Sequence, residues 1–329
     1  MFLTGILFGI LACALWGLVY MVPLWLSAYD PMLIALARYV VFGLLSCVLL
    51  LFNGKYLKRM TRSDWVSAVA LGVIGNLVFY WTLASAVQLA GAPIAGAFTA
   101  VIPIAVALVA NTKARRLGGG VAWRALALPL SIVAAGMVCL NWTEFSYFLA
   151  HSSDASPLDF WIGVLFAFVS LILWTWYPIS NAEWLLKHRA TMSAMFWSAA
   201  QGVATLPAAL VGIGCCLWRA PSPSALLGPA PADFLWGVLL LGVACSWLGI
   251  CFWNAMSQRL TPALGGQMII FETIFAVIYA HVLRGTMPTG LMSAGMLLLV
   301  AGVCLSVRVF QREQARMLES AAARRPEAF

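Results

Sequence analysis

The sequence contains very little charge. Only 9% of its 329 residues are Asp, Glu, Lys or Arg, while 63% are hydrophobic and the mean hydropathy is +0.96. A soluble globular domain carries about 25% charged residues, so a water-soluble fold is excluded. The chain also lacks a glycine-rich phosphate loop followed by lysine, the usual motif of ATP-hydrolysing proteins.

Metal-binding and catalytic clusters are also missing from the sequence. The eight cysteines lie inside apolar segments, without a CxxC motif or a Cys/His cluster, so we expect no metal, no other cofactor and no disulfide framework. The three histidines, His151, His188 and His281, fall in loops or at helix ends. An intramembrane enzyme would need a nucleophile with a base, a metal or a pair of carboxylates. We therefore expect a protein that is not an enzyme.

Ten long apolar segments occupy most of the chain. A bilayer core about 30 Å thick requires roughly 20 apolar residues per helix, and such a helix satisfies its backbone hydrogen bonds internally. The predicted spans are 2–26, 31–52, 65–87, 91–111, 122–142, 158–182, 190–218, 233–257, 262–283 and 287–309. The sequence thus predicts an all-α polytopic membrane protein with ten transmembrane helices, followed by a polar tail that forms a short, frayed helix.

The basic residues are concentrated in alternate connections. Sixteen of the nineteen lie at 55–62, 113–124, 187–189, 259 or 308–325, two lie in the opposite connections, and Arg38 lies within a helix. Because cytoplasmic loops are enriched in Lys and Arg, both termini are predicted to be cytoplasmic. The positive charge then reflects topology, so we expect membrane lipids and not nucleic acid as partners. Arginine outnumbers lysine, fifteen to four, which is typical of GC-rich bacterial genomes and favours a bacterial inner membrane.

The two halves of the chain resemble each other. The stretch GILFGILACALW at 5–16 recurs as GVLFAFVSLILW at 163–174, with Gly, Leu, Phe, Leu and Trp at a constant separation of 158 residues. The third and eighth segments match at a separation of 170, as in Gly72 and Gly242. These matches predict a duplicated unit of five helices. Because five is an odd number, the second copy enters the membrane from the opposite side, an arrangement typical of transporters. The predicted units are a first repeat at 1–142, an outer loop at 143–157, a second repeat at 158–310 and a cytoplasmic tail at 311–329.

Motifs in order along the chain resemble the drug/metabolite transporter superfamily, EamA type. They include Leu-Trp-Gly17 in the first segment, an arginine in the second, and an aromatic-then-small run at 79–86 that leads into Gly91-Ala92-Pro93. Within the superfamily, the dense tryptophans and the stretch at 15–23 are most similar to YddG-type exporters of aromatic amino acids. The resemblance implies ten helices in two five-helix halves, and it implies export.

One segment departs from the superfamily pattern. Many members carry a proline in the middle of helix 9 and a Gly-Glu pair near its end. This chain has Glu272 near the first of these positions and Arg284-Gly285 near the second. The change places a carboxylate inside the bilayer, so no coupling scheme is transferred from other members.

Two residues that are charged in water, Arg38 and Glu272, lie well inside predicted helices. Such groups cost roughly 2.5 to 3.5 kcal/mol on insertion scales and normally face protein or a water-filled cavity. Glu272 is predicted near mid-membrane, where it contacts a substrate ammonium, couples protons or serves as a structural carboxylate. Arg38, about 10 Å below the outer surface, meets a substrate carboxylate, forms a structural ion pair or snorkels to the interface.

Aromatic and polar residues follow single helix faces. In the sixth segment, Ser170, Trp174, Tyr177 and Asn181 repeat with the 3.6-residue period of a helix. A cavity lined by Trp and Tyr suits flat, amphipathic or cationic aromatic solutes, and the alternative is a packed aromatic core. The predicted substrate-binding residues are Trp16, Tyr20, Arg38, Asn76, Tyr80, Trp174, Tyr177, Trp253, Asn254 and Glu272. Pro23 and Pro178, at nearly matched repeat positions, are predicted to form paired gates.

A secondary transporter accounts best for these features. We predict export of amino acids, preferably aromatic ones, or of related metabolites across the inner membrane by alternating access. The alternatives are an exporter of drugs or organic cations with the same fold, and a channel or structural membrane protein. A channel would usually show rings of selectivity groups repeated across subunits, whereas this chain carries an internal duplication and is expected to be a monomer.

Overall fold

In a computed structural model, the described residues 2–26, 28–52, 54–90, 92–151 and 157–323 form ten helical spans. The spans are α1 (Phe2–Gly17, then a 3₁₀ turn at Leu18–Tyr20 and helix at Met21–Trp25), α2 (Pro31–Leu51), α3 (Arg62–Val69, Ala70–Val78 and Phe79–Ala90), α4 (Ala92–Arg116), α5 (Trp123–His151), α6 (Pro157–His188), α7 (Ala194–Arg219), α8 (Pro231–Leu239, Leu240–Leu248 and Gly249–Ser257), α9 (Pro262–Met268 and Ile270–Arg284) and α10 (Gly290–Ala323). A short helix at Gly54–Leu57 and a 3₁₀ turn at Pro223–Leu227 lie in connections.

The prediction of an all-helical, multi-pass membrane fold is confirmed. Within the described residues, nine of the spans are long and apolar enough to cross a membrane, and α1 begins with a shorter apolar helix at Phe2–Gly17. Several helices run further than predicted, and α4 ends at Arg116 and α6 at His188. No glycine or proline interrupts 143–151 or 311–323, so α5 continues into the predicted outer loop as far as His151, and α10 continues into the predicted tail as far as Ala323.

Polar caps fix where several helices begin. Asp30 accepts a hydrogen bond from the Met32 amide at 2.7 Å, and Pro31 occupies the first turn of α2. Thr61 and Asp64 form a capping box at the start of α3, in which each side chain accepts from the other residue's backbone amide. These side chains satisfy amide groups that the first turn of a helix leaves without partners.

Each contact between a helix of one half and a helix of the other has an equivalent contact in which the two halves change places. α1 packs on α8 and α9, and its counterpart five helices later, α6, packs on α3 and α4. The contacts of α2 with α7, α4 with α9 and α5 with α10 each join a helix to its own counterpart. This pattern is the one that a pseudo-two-fold axis produces, and it supports two inverted five-helix repeats.

Small residues bring α5 and α10 close together. A Cβ added at Gly136 would lie 2.9 Å from the Gly295 carbonyl oxygen, and one added at Gly295 would lie 2.9 Å from the Gly136 carbonyl oxygen. Side chains at these positions would separate the two backbones, so glycine is required for this crossing.

The helices that surround the centre of the bundle are irregular. α3 and α8 each contain a π-helical segment, Ala70–Val78 and Leu240–Leu248, and these two segments are 170 residues apart, as in the sequence match. α1 narrows to a 3₁₀ turn at Leu18–Tyr20, and α9 is broken at Ile269. The irregular parts of α1 and α8 contact each other, while that of α3 packs on α6. Within a membrane, such backbone is tolerated only where it is buried in protein or lines a cavity, so it marks the centre as a candidate site.

Candidate functional site

Five aromatic side chains meet at the centre, and we call them the aromatic cluster: Trp16, Phe79, Trp174, Tyr177 and Trp253. The Trp174 ring stacks on Phe79 at 4.3 Å and on Tyr177 at 4.9 Å between ring centroids. Trp16 meets Trp174 edge-on at 5.8 Å and lies 5.0 Å from Trp253. The cluster joins residues of the first half to residues of the second, and it contains four predicted site residues.

The π-helical segment of α8 holds Trp16 in place. The Trp16 indole Nε1 donates a hydrogen bond of 2.9 Å to the Cys245 carbonyl oxygen. A Cβ added at Gly249 would lie 2.7 Å from that nitrogen, so only glycine permits the approach. The indole nitrogen of Trp253, in contrast, is buried and has no hydrogen-bond partner in the described part of the chain. It is therefore a donor that a ligand could engage.

The π-helical segment of α3 plays the corresponding part for α6. Asn76 Nδ2 donates to the Leu71 carbonyl oxygen at 2.9 Å, within the widened turn. A Cβ added at Gly75 would lie 2.4 Å from Cδ2 of Tyr177, which shows how closely α3 approaches the ring. The Tyr177 hydroxyl donates to Gln201 Oε1 at 3.2 Å. Asn76 thus supports the wall of the cluster through the backbone of α3.

Arg38 lies inside the protein. The residue is only 6% exposed, and its Nε donates a hydrogen bond of 2.7 Å to Ser246 Oγ in the π-helical segment of α8. The guanidinium carbon lies 5.3 Å from the Tyr39 ring centroid and 5.1 Å from that of Tyr80, within the range of cation–π contacts. The interpretation that Arg38 snorkels to the interface is wrong, because the hydroxyl and the two rings hold the group in the bundle.

Glu272 lies in the first turn of the second half of α9, directly after the break at Ile269. The amide groups at such a helix start carry partial positive charge, which favours a carboxylate there. Cys13 Sγ donates to the Met268 carbonyl oxygen at 3.1 Å and so ties the break to α1. Glu272 is close enough to Arg38 and to Cys245 for electrostatic interaction with both. A guanidinium and a carboxyl group thus lie near each other in the bundle.

A buried polar network lies next to the aromatic cluster, and sequence reasoning did not recognise it as a unit. It consists of Asn181, Trp197, Ser198, Gln201 and Asn254. Asn181 Oδ1 accepts from Trp197 Nε1 at 2.9 Å and from Gln201 Nε2 at 3.0 Å, while its Nδ2 donates to Asn254 Oδ1 at 2.8 Å. Asn254 Nδ2 donates to Ser198 Oγ at 2.9 Å. Asn254, predicted as a substrate contact, is therefore bonded to protein through both ends of its amide.

The network could have been found from α7. Ser198, Gln201 and Thr205 follow one another at spacings of three and four in an otherwise apolar segment, which places them on one helix face. All three side chains are fully buried. Ser198 accepts from Asn254 of α8 and Gln201 donates to Asn181 of α6, whereas Thr205 donates to the Gln201 carbonyl oxygen of its own helix.

Pro178, predicted to form one of the paired gates, lies beside a narrow crevice between helices. It lines this crevice between α6, α8 and α9, together with Trp253 and Ser257, and the crevice is too narrow for a water molecule. The crevice lies towards the end of the bundle that carries most basic residues, which we call the basic end. The side chains of Tyr20 and Pro23, the other predicted site and gate residues of α1, lie outside the described part of the structure.

Side-chain contacts tie the two halves together at both ends. At the basic end, Trp184 Nε1 donates to Asp64 Oδ1 at 3.0 Å, and Trp184 stacks on Trp197 with 3.4 Å between centroids. At the opposite end, the Tyr29 hydroxyl donates to the Leu227 carbonyl oxygen at 2.8 Å. The structure thus represents a state in which both ends are bridged.

A larger cavity, of about 520 Å³, opens between α4 and α6 on the outside of the bundle. Its wall includes the exposed residues Val109, Ile172 and Trp176. These apolar side chains face the surface that lipid covers, so this cavity is separate from the candidate site. Among the described residues, no group of three His, Cys, Asp or Glu side chains is placed to hold a metal ion.

Comparisons with known proteins agree with this architecture. The profile of the EamA-like transporter family matches residues 3–141. The inner membrane protein YtfF of Escherichia coli (strain K12) is 34% identical over 310 residues, which cover 93% of this chain and 95% of that protein. A solved crystal structure with 18% sequence identity has the same fold, with a TM-score of 0.72 over 95% of this chain and 99% of that one. The protein is a multi-pass inner membrane protein, and it belongs to the EamA-like transporter family of the drug/metabolite transporter superfamily.

Proposed function

We propose that this membrane transporter exports amino acids, with a preference for aromatic ones, by alternating access. The observation that carries the proposal is the convergence of irregular backbone, aromatic rings and two opposite charges between the two halves. In transporters built from inverted repeats, the substrate site lies at the repeat interface and is formed by discontinuous helices. The centre of this bundle has both properties.

The side chains at the centre suit an aromatic amino acid. A flat ring can replace one of the stacking or edge contacts within the aromatic cluster, each of which contributes about 0.5–1.5 kcal/mol beyond area burial. The unpartnered indole nitrogen of Trp253 offers a hydrogen bond. Arg38 and Glu272 are complementary to the carboxylate and ammonium groups that every free amino acid carries.

The exchanged helix contacts support alternating access. When two halves are related by a pseudo-two-fold axis, exchanging their conformations produces a second packing of nearly equal energy that opens to the other side. The contacts of Trp184 with Asp64 and of Tyr29 with Leu227 would then break in turn, at the basic end and at the opposite end. We assign the basic end to the cytoplasm, because positively charged loops are retained there.

Export of organic cations by the same fold is the second candidate. Glu272 and the surrounding rings favour it, since a cation would be attracted to both. Arg38 disfavours it, because a purely cationic substrate would enter a site that already holds a buried positive charge. The nearby guanidinium therefore makes an amino acid the better match.

The test is exchange in proteoliposomes. Purified protein is reconstituted into liposomes loaded with unlabelled phenylalanine, and uptake of external labelled phenylalanine is measured against protein-free liposomes. We expect accumulation that depends on the internal amino acid. The proposal is rejected if no amino acid in a panel exchanges above the protein-free level. Exchange of tetraphenylphosphonium without exchange of phenylalanine would support the cation exporter instead.

A further inference from the structure

We infer that Arg38 and Glu272 act together as a selectivity device that requires both charges of a zwitterion. Arg38 binds the substrate carboxylate, Glu272 binds its ammonium group, and the aromatic cluster receives the side chain. Aromatic amines and aromatic acids, which carry one of the two charges, are therefore discriminated against. The inference rests on the proposed function and specifies the substrate class of that site.

Arg38 is held ready for a carboxylate. The hydrogen bond that it makes in the described part of the chain uses Nε, so the bond to Ser246 does not occupy the two Nη groups. The rings of Tyr39 and Tyr80 limit movement of the guanidinium without neutralising its charge. A guanidinium fixed in this way presents a planar pair of donors that matches the two oxygens of a carboxylate. Ser246 is thus a positioning residue, placed by the π-helical turn of α8.

Glu272 lies on α9, which packs on α1 next to the segment of α8 that holds Arg38. Ser246, which holds Arg38, adjoins Cys245, whose carbonyl oxygen accepts from Trp16 and whose thiol donates to the Leu15 carbonyl oxygen at 3.2 Å. Glu272 lies within electrostatic range of both Arg38 and Cys245. Cys13 donates to the Met268 carbonyl oxygen of α9 and Trp16 to the Cys245 carbonyl oxygen of α8, so this stretch of α1 joins the helix of Glu272 to the segment that holds Arg38. An α-amino acid carries its two charged groups and its side chain on a single carbon atom, and so fits this arrangement.

Discrimination follows from the cost of unmatched buried charge. A site that is built to hydrogen-bond a substrate group rejects an analogue that lacks the group, because its own polar atoms then lose both water and partner. An aromatic amine would leave Arg38 without a carboxylate and would add a second positive charge near it. An aromatic acid would lack the ammonium group and would add a second negative charge near Glu272.

A substrate series on the wild-type protein tests the inference. Binding of labelled phenylalanine to purified protein is displaced by phenylalanine, phenethylamine or 3-phenylpropionate at neutral pH. These three share the ring and differ in charge. We expect the amine and the acid each to compete at least tenfold more weakly than phenylalanine. If either competes as well as phenylalanine, the inference is wrong although the proposed function stands, whereas absence of phenylalanine binding and exchange would reject the proposed function.

Two variants, each lacking one of the two charges, test the two contacts separately in the same competition assay. Arg38→Gln should lose discrimination against the amine while keeping it against the acid, and Glu272→Gln should do the reverse. If the two residues have only a structural role, each variant would bind all three ligands more weakly by the same factor, and that result would overturn the inference. Arg219→Gln and Glu183→Gln remove one charge of each sign from exposed positions and should preserve the wild-type order. Ser246→Ala should weaken the binding of phenylalanine and of the acid more than that of the amine, because the Arg38 guanidinium loses the hydrogen bond that orients it.

Discussion

Trp174 connects the aromatic cluster. Its ring contacts Trp16 from α1, Phe79 from α3 and Tyr177 on its own helix, so it touches every part of the cluster except Trp253. Trp176, two residues further along α6, points away from the bundle and is 37% exposed. The two tryptophans lie on one helix but face opposite ways, so they separate the role of a central indole from the effect of losing any tryptophan.

We predict that Trp174→Phe weakens phenylalanine binding about tenfold, which corresponds to ~1.4 kcal/mol. The smaller ring keeps an aromatic face but cannot reach all three neighbours, and each aromatic contact contributes about 0.5–1.5 kcal/mol. Trp176→Phe is the matched control and should bind as the wild type does. Equal affinities for the two variants in a direct binding titration would remove Trp174 from the site.

The sequence allowed part of this picture to be predicted at the level of residues. The stripe on α6 was recognisable because Ser170, Trp174, Tyr177 and Asn181 share a helical period, and all four are buried in the structure. The partner of Arg38 was not recognisable, because Ser246 is 208 residues away and the hydrogen bond depends on how α2 packs on α8. Periodicity identifies a face, whereas a tertiary contact decides what that face meets.

At the scale of elements, the π-helical segments of α3 and α8 give the centre its shape. Each widened turn changes the direction of the residues that follow, and such segments occur frequently at functional sites. Span lengths could be predicted because an apolar run must cross the bilayer. The π-helical turns could not, because one extra residue per turn leaves the apolar composition of the segment unchanged. The two π-helical segments are 170 residues apart, the same separation as the sequence match between these helices. Both halves therefore contain the same irregularity at the same position.

We predict that Gly75→Ala destabilises the protein by about 1–3 kcal/mol, the usual cost of overpacking a close contact. The added methyl group would meet Cβ, Cγ and Cδ2 of Tyr177, which lie at the base of the ring and cannot swing aside. Gly214→Ala, in α7, meets nothing within 4 Å and is the control. Thermal unfolding of the purified variants should show a lower transition temperature for the first and an unchanged or raised one for the second. If both behave like the wild type, the close packing of α3 on α6 is not as described.

At the scale of the whole molecule, the arrangement of contacts suggests how the site is exposed. Each contact between the halves has an equivalent in which the two halves change places. Side-chain hydrogen bonds also join the halves at both ends of the bundle. Breaking one set of bridges while keeping the other would open the centre to a single side. The repeat was visible in the sequence as separations of 158 and 170 residues. The bridges at the two ends could not be predicted from the sequence, because they depend on side chains such as Trp184 and Tyr29 whose partners lie far away in the chain.

Native cysteines provide the most direct test of this account. Cys245 is buried at the centre next to Ser246, whereas Cys304 is exposed on the outer surface of α10, where lipid covers it. Two variants would each keep one of these residues as the sole cysteine. A membrane-impermeant maleimide would then be applied separately to right-side-out and inside-out vesicles, with and without phenylalanine. We predict that Cys245 reacts from both sides and that phenylalanine slows both reactions, while Cys304 reacts from neither. Labelling of Cys245 from one side only, in a protein that exchanges phenylalanine, would contradict alternating access to this site.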